Sequence, residues 1–308
     1  MLRKKTDLSA IHQIYPVKNT LSPIFGLAFL ASVSFVNLAL AVNIDWVQVG
    51  NPGNAADTVT PNPGYGSVGY DYAIGKYEVT NAQYAEFLNA KGKTNAYGIF
   101  NETTDVRYGI TQAGVSGSFT YTVDSGFAIK PVNYVSWFDA ARFTNWLGNG
   151  QGAGDMENGA YTLGGVTSGN AIAKNLGATV YVPSENEWYK AAYYDPNKGG
   201  VGVAGYWLYP TKSDPITTAD ANYNNSVGHS TNVGTYSSDP SFYGTLDQGG
   251  NFWEWNDLDA VSGSSRGLRG GSWLGTDDGL ASSIPRLRRP VARGQLRGLP
   301  CCQLRCGP

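Results

Sequence analysis

Three times in this chain an extended run ends at a hydroxyl residue and passes into a short stretch of helical spacing, at Thr80, Ser136 and Ser184. Tyr72-Ala73-Ile74-Gly75-Lys76-Tyr77-Glu78-Val79 reads as a strand. Thr80 then caps a helix over 81–90, with Gln83, Tyr84, Phe87 and Leu88 on its apolar stripe and Gly92 as its stop. Pro131 opens a second unit, with 132–135 extended and Ser136 as the cap. Trp137, Ala140, Ala141, Thr144 and Leu147 mark the buried face of its helix, and Gly148-Asn149-Gly150 ends it. In the third unit a strand over 179–182 leads to Ser184, which forms a capping box with Glu187 for a helix through Tyr194.

What lies between these units excludes a helical bundle. Residues 43–75 alternate short apolar runs with turn formers such as Asn51-Pro52-Gly53. Residues 93–129 read as a hairpin with loops, and 199–272 as mostly loop with short strands. The 40 glycines and 13% aromatic residues, against 15% charged ones, fit the same picture: an irregular, loop-rich α+β domain. Loops this long need internal support. Bound cations held by Asp, Glu and Asn side chains and backbone carbonyls are one form of it.

All three cysteines, Cys301, Cys302 and Cys306, fall in the last eight residues, so no disulfide ties the body together. Beyond residue 41 the only histidine is His229, which excludes a multi-histidine metal site and reads as a solvated loop residue.

Residues 1–41 read as an export signal: Arg3, Lys4, Lys5 and Lys18 precede an apolar stretch that ends in Ala39-Leu40-Ala41. An uncleaved membrane anchor is the competing reading, and both place the domain outside the cytoplasm. From Val42 to Ser283 there are 23 acidic residues against 12 Lys and Arg, whereas 284–308 has six Arg and no acid.

Four ordered segments resemble the formylglycine-generating-enzyme (sulfatase-modifying-factor) family. They are Tyr77-Glu78-Val79-Thr80-Asn81-Ala82-Gln83-Tyr84, Pro131-Val132-Asn133-Tyr134-Val135-Ser136-Trp137-Phe138-Asp139-Ala140, Val182-Pro183-Ser184-Glu185-Asn186-Glu187-Trp188, and Gly250-Asn251-Phe252-Trp253-Glu254-Trp255 followed by Arg269-Gly270-Gly271-Ser272-Trp273. The resemblance implies one domain over 42–283 with the C-type-lectin-like fold of that family. It implies a structural calcium ion at Asp247, Gly250, Phe252 and Glu254, and makes Asn222-Tyr223 resemble the start of a second calcium site. A surface role for Glu254 is the alternative. The family's enzymes oxidise a substrate cysteine with copper(I) on two thiolates. Where that pair is expected this chain has Ala281-Ser282-Ser283, so copper is not expected here.

The tail departs from the body. Family members end in a strand reading Gly-Phe-Arg-Val, which is absent. Codons for Gly298-Leu299-Pro300-Cys301-Cys302-Gln303, read one nucleotide later, admit Gly-Phe-Arg-Val-Ala-Ser. The same shift lets Pro285-Arg286-Leu287-Arg288-Arg289-Pro290 read Arg-Asp-Tyr-Asp-Asp-Pro. A single-nucleotide slip between about 281 and 284 is therefore expected, with 284–308 a frameshifted tail that packs poorly or lies outside the core.

The function this implies is a secreted, periplasmic or cell-surface binding or modifying module without copper-dependent cysteine oxidation. Trp253, Trp255, Arg269 and Trp273 are the expected pocket lining for a protein, peptide or glycan ligand. No nucleic-acid partner is expected, and a membrane only if the leader stays uncleaved. The alternatives are an enzyme of the same family that uses other residues, and a calcium-supported lectin-like adhesin.

Overall fold

β1 (Trp46–Val49) and β2 (Tyr72–Gly75) pair antiparallel, Trp46 opposite Gly75 and Val49 opposite Tyr72. Every residue of β2 is buried, as the apolar run demands of an interior strand. In this computed structural model the described residues are 41–59, 64–101, 107–170, 172–258 and 266–283, with the backbone of 286–288 and 305–306. They fall within one compact unit, Ala39–Pro308. The leader reading, apart from residue 41, lies outside the described residues, among which no helix is long and apolar enough to cross a membrane.

Each of the three expected helices is present, and each begins with a reciprocal cap. At α1 (Asn81–Lys91) the Thr80 hydroxyl accepts from the Gln83 amide (3.3 Å), while Gln83 Oε1 accepts from the Thr80 amide (2.8 Å). Gln83 thus serves the cap, and the buried stripe is Tyr84, Ala85, Phe87 and Leu88. α2 (Trp137–Gly148) starts at Ser136, whose amide donates to Asp139 Oδ2 at 2.8 Å. Its residues 137–146 are all buried, and Leu147 is only partly so. α3 (Glu185–Tyr193) has the predicted box, with Glu187 Oε2 2.8 Å from the Ser184 amide.

The expected hairpin is β3 (Ile110–Ala113) with β4 (Thr120–Val123), fastened to α1 where Asn89 exchanges two hydrogen bonds with the Tyr121 backbone (2.7 and 2.9 Å). β5 (Val180–Tyr181) precedes α3, and β6 (Tyr194–Asp195) with β7 (Gly205–Tyr206) follows it. β8 (Glu254–Asn256), β9 (Arg266–Arg269) and β10 (Arg286–Arg288) form a three-stranded antiparallel sheet in the order β10-β9-β8. β11 (Arg305–Cys306) lies between β2 and β5, completing a four-stranded sheet in the order β1-β2-β11-β5. The main core joins α1, α2 and the hairpin around Trp137, Phe143, Trp146 and Phe87, and reaches Trp255 and Leu268 of the second sheet.

Two expectations need correction. The strand stops at Gly75: beyond it, Lys76 bonds Asp45 O through its amide and accepts from Leu246, and Val79 O accepts from Val132, so successive residues serve different partners. The 132–135 stretch is not uniformly extended, because Tyr134 has φ 58°. Within the tail, the backbone of 286–288 and 305–306 pairs with β9 and with β2 and β5, while its packing against the core lies outside the described residues. Ladder pairing uses main-chain groups that any non-proline residue supplies, so these short pieces pair whatever their side chains.

Candidate functional site

Residues 247–254 form a tight turn clamped from two sides. The Gly250 amide bonds Gly270 O (2.7 Å), and the Asn251 amide bonds Asn222 O (3.0 Å). Gly250 has φ 90°, and a Cβ there would lie 2.2 Å from Asn222 O, so only glycine fits this approach. Asp247 and Asn251 also have positive φ, 63° and 51°, a conformation Asp and Asn adopt more readily than other side chains.

Asn251 ties the turn together. Its Oδ1 accepts from the Thr231 amide (2.9 Å), the Thr231 hydroxyl (3.0 Å) and Asn222 Nδ2 (3.0 Å). Its Nδ2 donates to Glu78 Oε2 at 3.0 Å, and the Phe252 amide donates to Glu78 Oε1 at 3.3 Å. Glu78 leaves the β2–α1 junction and is 1% exposed.

Two further carboxylates, Asp247 and Glu254, lie near enough for their charges to act on Glu78. Glu254, on β8 and fully buried, accepts from Trp188 Nε1 at 2.7 Å through Oε2, while Oε1 has no partner. Asp247 Oδ2 accepts from the Gly234 amide at 2.6 Å. Burial raises all three acids. It pushes Asp247 up to about 6 and, with the charge of Asp247 nearby, Glu254 up to about 8. Glu78 is held well above the ordinary carboxylate range by burial and then by the charges of Asp247 and Glu254. None of the ion pairs among the described residues involves these three acids.

The residues named from sequence as calcium ligands are thus gathered in one turn: Asp247, Gly250, Phe252 and Glu254, with Asn222 bridged to Gly250. Asn222, expected to start a second site, borders the first one, and its Oδ1 is buried without a partner. Two carboxylates with amide and carbonyl oxygens are a donor set for a hard cation. Among the described residues no three His, Cys, Asp or Glu side chains converge into an all-side-chain metal site. His229 is exposed, as its loop position suggests.

The expected pocket lining is internal instead. Trp255 is fully buried and its Nε1 donates to Val135 O at 2.9 Å. Trp253 and Trp273 are 6% and 5% exposed. Arg269, 1% exposed, pairs with Glu185 from α3, donates to Ser282 O at 2.9 Å, and stacks over the Tyr189 and Tyr65 rings at 4.7 and 5.2 Å. Trp and Arg make a good binding surface only where they are exposed, and here packing against the core uses their faces.

Glu78 and Asn251 are the contributors that sequence reasoning did not single out. Glu78 sits among apolar residues in a run read as a strand, and a carboxylate in such a run was the available signal. Asn251 was quoted within a motif, but its role depends on Asn222 and Thr231, which only folding brings to it.

A sequence model of the family described as "sulfatase-modifying factor enzyme 1-like domain" matches residues 47–300. The chain is 25% identical over 254 residues to hercynine oxygenase of Mycobacterium tuberculosis, covering 74% of this chain and 51% of that protein. It is 24% identical over 253 residues to the serine/threonine-protein kinase pkn1 of Chlamydia pneumoniae, covering 76% of this chain and 33% of that one. The chain thus spans about half the length, or less, of these curated relatives. Among solved structures, variable protein 1 of Treponema denticola superposes with a TM-score of 0.58 at 21% identity, covering 88% of this chain and 97% of the other. That likeness bears on the fold alone.

Proposed function

Since the chain belongs to the sulfatase-modifying factor enzyme 1-like domain family and has its loop-rich α+β fold, we propose that it is an exported binding or modifying module, stiffened by calcium, that does not oxidise cysteine through a copper-bound thiolate pair. The observation that carries the second half of this reading lies just after Arg269-Gly270-Gly271-Ser272-Trp273. Ala281 and Ser282 are buried there, 5% and 8% exposed. The Ser282 amide bonds Leu208 O at 2.8 Å, and Ser282 O receives Arg269. Neither side chain is a soft ligand for copper(I). Incubating the full chain with copper(I), oxygen and cysteine-containing peptides should leave the peptides unchanged by mass spectrometry. Appearance of a peptide aldehyde would remove this reading and favour the enzyme alternative.

The calcium half rests on the orphaned Glu254 Oε1 and on the buried Glu78 and Glu254 with the half-buried Asp247, none of which has a basic partner among the described residues. Asp247, Glu254 and the carbonyls of Gly250 and Phe252 would hold the ion, whose contribution when bound is to neutralise the carboxylates and fix the loops. Asn251 and Gly250 set the turn that presents those oxygens. A protein, peptide or glycan ligand is proposed for the surrounding loops, and the lectin-like adhesin is one form of that reading.

Export is proposed from the 1–41 segment alone. N-terminal sequencing of the secreted protein should begin at Val42, and a soluble cytosolic protein beginning at Met1 would end the idea.

A further inference from the structure

The turn that would hold the ion is anchored by a residue distant from it in the chain. Glu78 is 173 positions from Asn251 along the chain, yet its two oxygens take the Asn251 side-chain amide and the Phe252 backbone amide. Two residues later Thr80 caps α1. A neutral amide oxygen could accept a hydrogen bond here with far less loss of hydration than a carboxylate. At 1% exposure and beside Asp247 and Glu254, Glu78 keeps its proton unless a counter-charge is supplied. No Lys or Arg supplies one among the described residues.

Two small cavities reach this cluster. One of about 40 Å³ is lined by Glu78 together with Asp45, Tyr77, Thr80 and Gln83. Another of about 10 Å³ is lined by Asp247, Gln248 and Gly249. The buried Glu254 carboxylate, whose charge acts on Glu78, keeps an unpartnered Oε1.

We propose that Glu78 is a positioning residue for the cation, orienting the 250–252 backbone whose oxygens would ligate it, so that one ion fastens the β2–α1 junction to the 247–254 turn. This rests on the calcium reading above. It adds that binding at the turn is transmitted to the start of α1, because the Asn251 amide and the Phe252 amide cannot shift without moving Glu78. Outer-shell partners of this kind typically change metal affinity roughly 10–100-fold when removed.

The test uses the full chain and calcium alone, with terbium luminescence as a second probe of the site. Calcium should slow amide hydrogen exchange in 76–83 as well as in 247–254. Glu78→Gln should weaken calcium binding roughly 10–100-fold and shrink the calcium-induced rise in melting temperature, whereas Glu254→Gln should remove binding. A Glu78 that only supports the turn would lower the melting temperature equally with and without calcium and leave affinity unchanged, and that result overturns the proposal. If Glu78→Gln does not fold, exchange in the unmodified chain decides: protection confined to 247–254 overturns the proposal, and protection that includes 76–83 upholds it. Failure of the unmodified chain to bind calcium or terbium overturns the calcium reading itself, and this inference with it.

Discussion

A carboxylic acid removed from water keeps its proton to higher pH, and this chain places three such acids together. Asp247 and Glu254 are raised to about 6 and about 8, and Glu78 is raised well above the usual range. Their unfolded values lie near 4, so between the two limits the folded chain binds more protons than the unfolded one. The three acids cost nothing below about pH 4, and the cost grows as pH rises through the folded values. In chelator the melting temperature is therefore expected to be lower at pH 8 than at pH 5.5. Calcium should narrow that gap, since an ion that binds only the folded state at a hundred times its Kd adds about 2.7 kcal/mol. Glu254→Ala should abolish the sensitivity to chelator. Superimposable melting curves at pH 8, with chelator and with calcium, would count against the site. The acids at 247 and 254 were legible in the sequence through the family resemblance of Gly250-Asn251-Phe252-Trp253-Glu254. Glu78 was not legible, because its partners lie at the other end of the chain.

At the scale of elements, α3 does the most positioning. Its first turn presents Glu185 to Arg269 of β9 and Trp188 to Glu254 of β8, so the three-stranded sheet is located by side chains three residues apart on one helical face. That register depends on the cap. Ser184→Ala removes the acceptor for the Glu187 amide at 3.2 Å and is expected to cost about 1 kcal/mol, read as a lower urea midpoint with an unchanged slope. A shift within 0.3 kcal/mol of zero, allowing for roughly 10% extrapolation error, would mean that packing alone sets the helix start. Caps were readable because they are local: Ser or Thr and an acceptor three residues later decide them. Strand ends were not readable past Gly75, because the apolar run continues while the hydrogen-bond partners change.

For the molecule as a whole, the slot between β2 and β5 bears on the tail. Among the described residues, Arg305–Cys306 pairs there, against the four residues of β2. A frame-restored Gly-Phe-Arg-Val would offer a full-length strand with alternating side chains for this place. Resequencing the locus is expected to find a single-nucleotide slip between codons 281 and 284. The corrected chain should then melt higher, since each buried backbone group left unpaired costs about 1–3 kcal/mol against a total of about 5–15 kcal/mol. An unambiguous in-frame read would sink the idea and return Cys301, Cys302 and Cys306 to the functional argument.

Sequence alone determined the family, the loop-rich α+β class, three helices with their caps, and the turn carrying Asp247 and Glu254. All of these are written in spacings of a few residues, where backbone conformation and side-chain chemistry act directly. Tertiary structure alone decided that Trp253, Trp255, Arg269 and Trp273 point inward, because an aromatic or guanidinium group serves a core as well as a surface, and only its neighbours choose. It also decided that Glu78 closes on Asn251 and Phe252 across 173 and 174 positions, since contacts at that separation exist only once folding has brought both segments to one place.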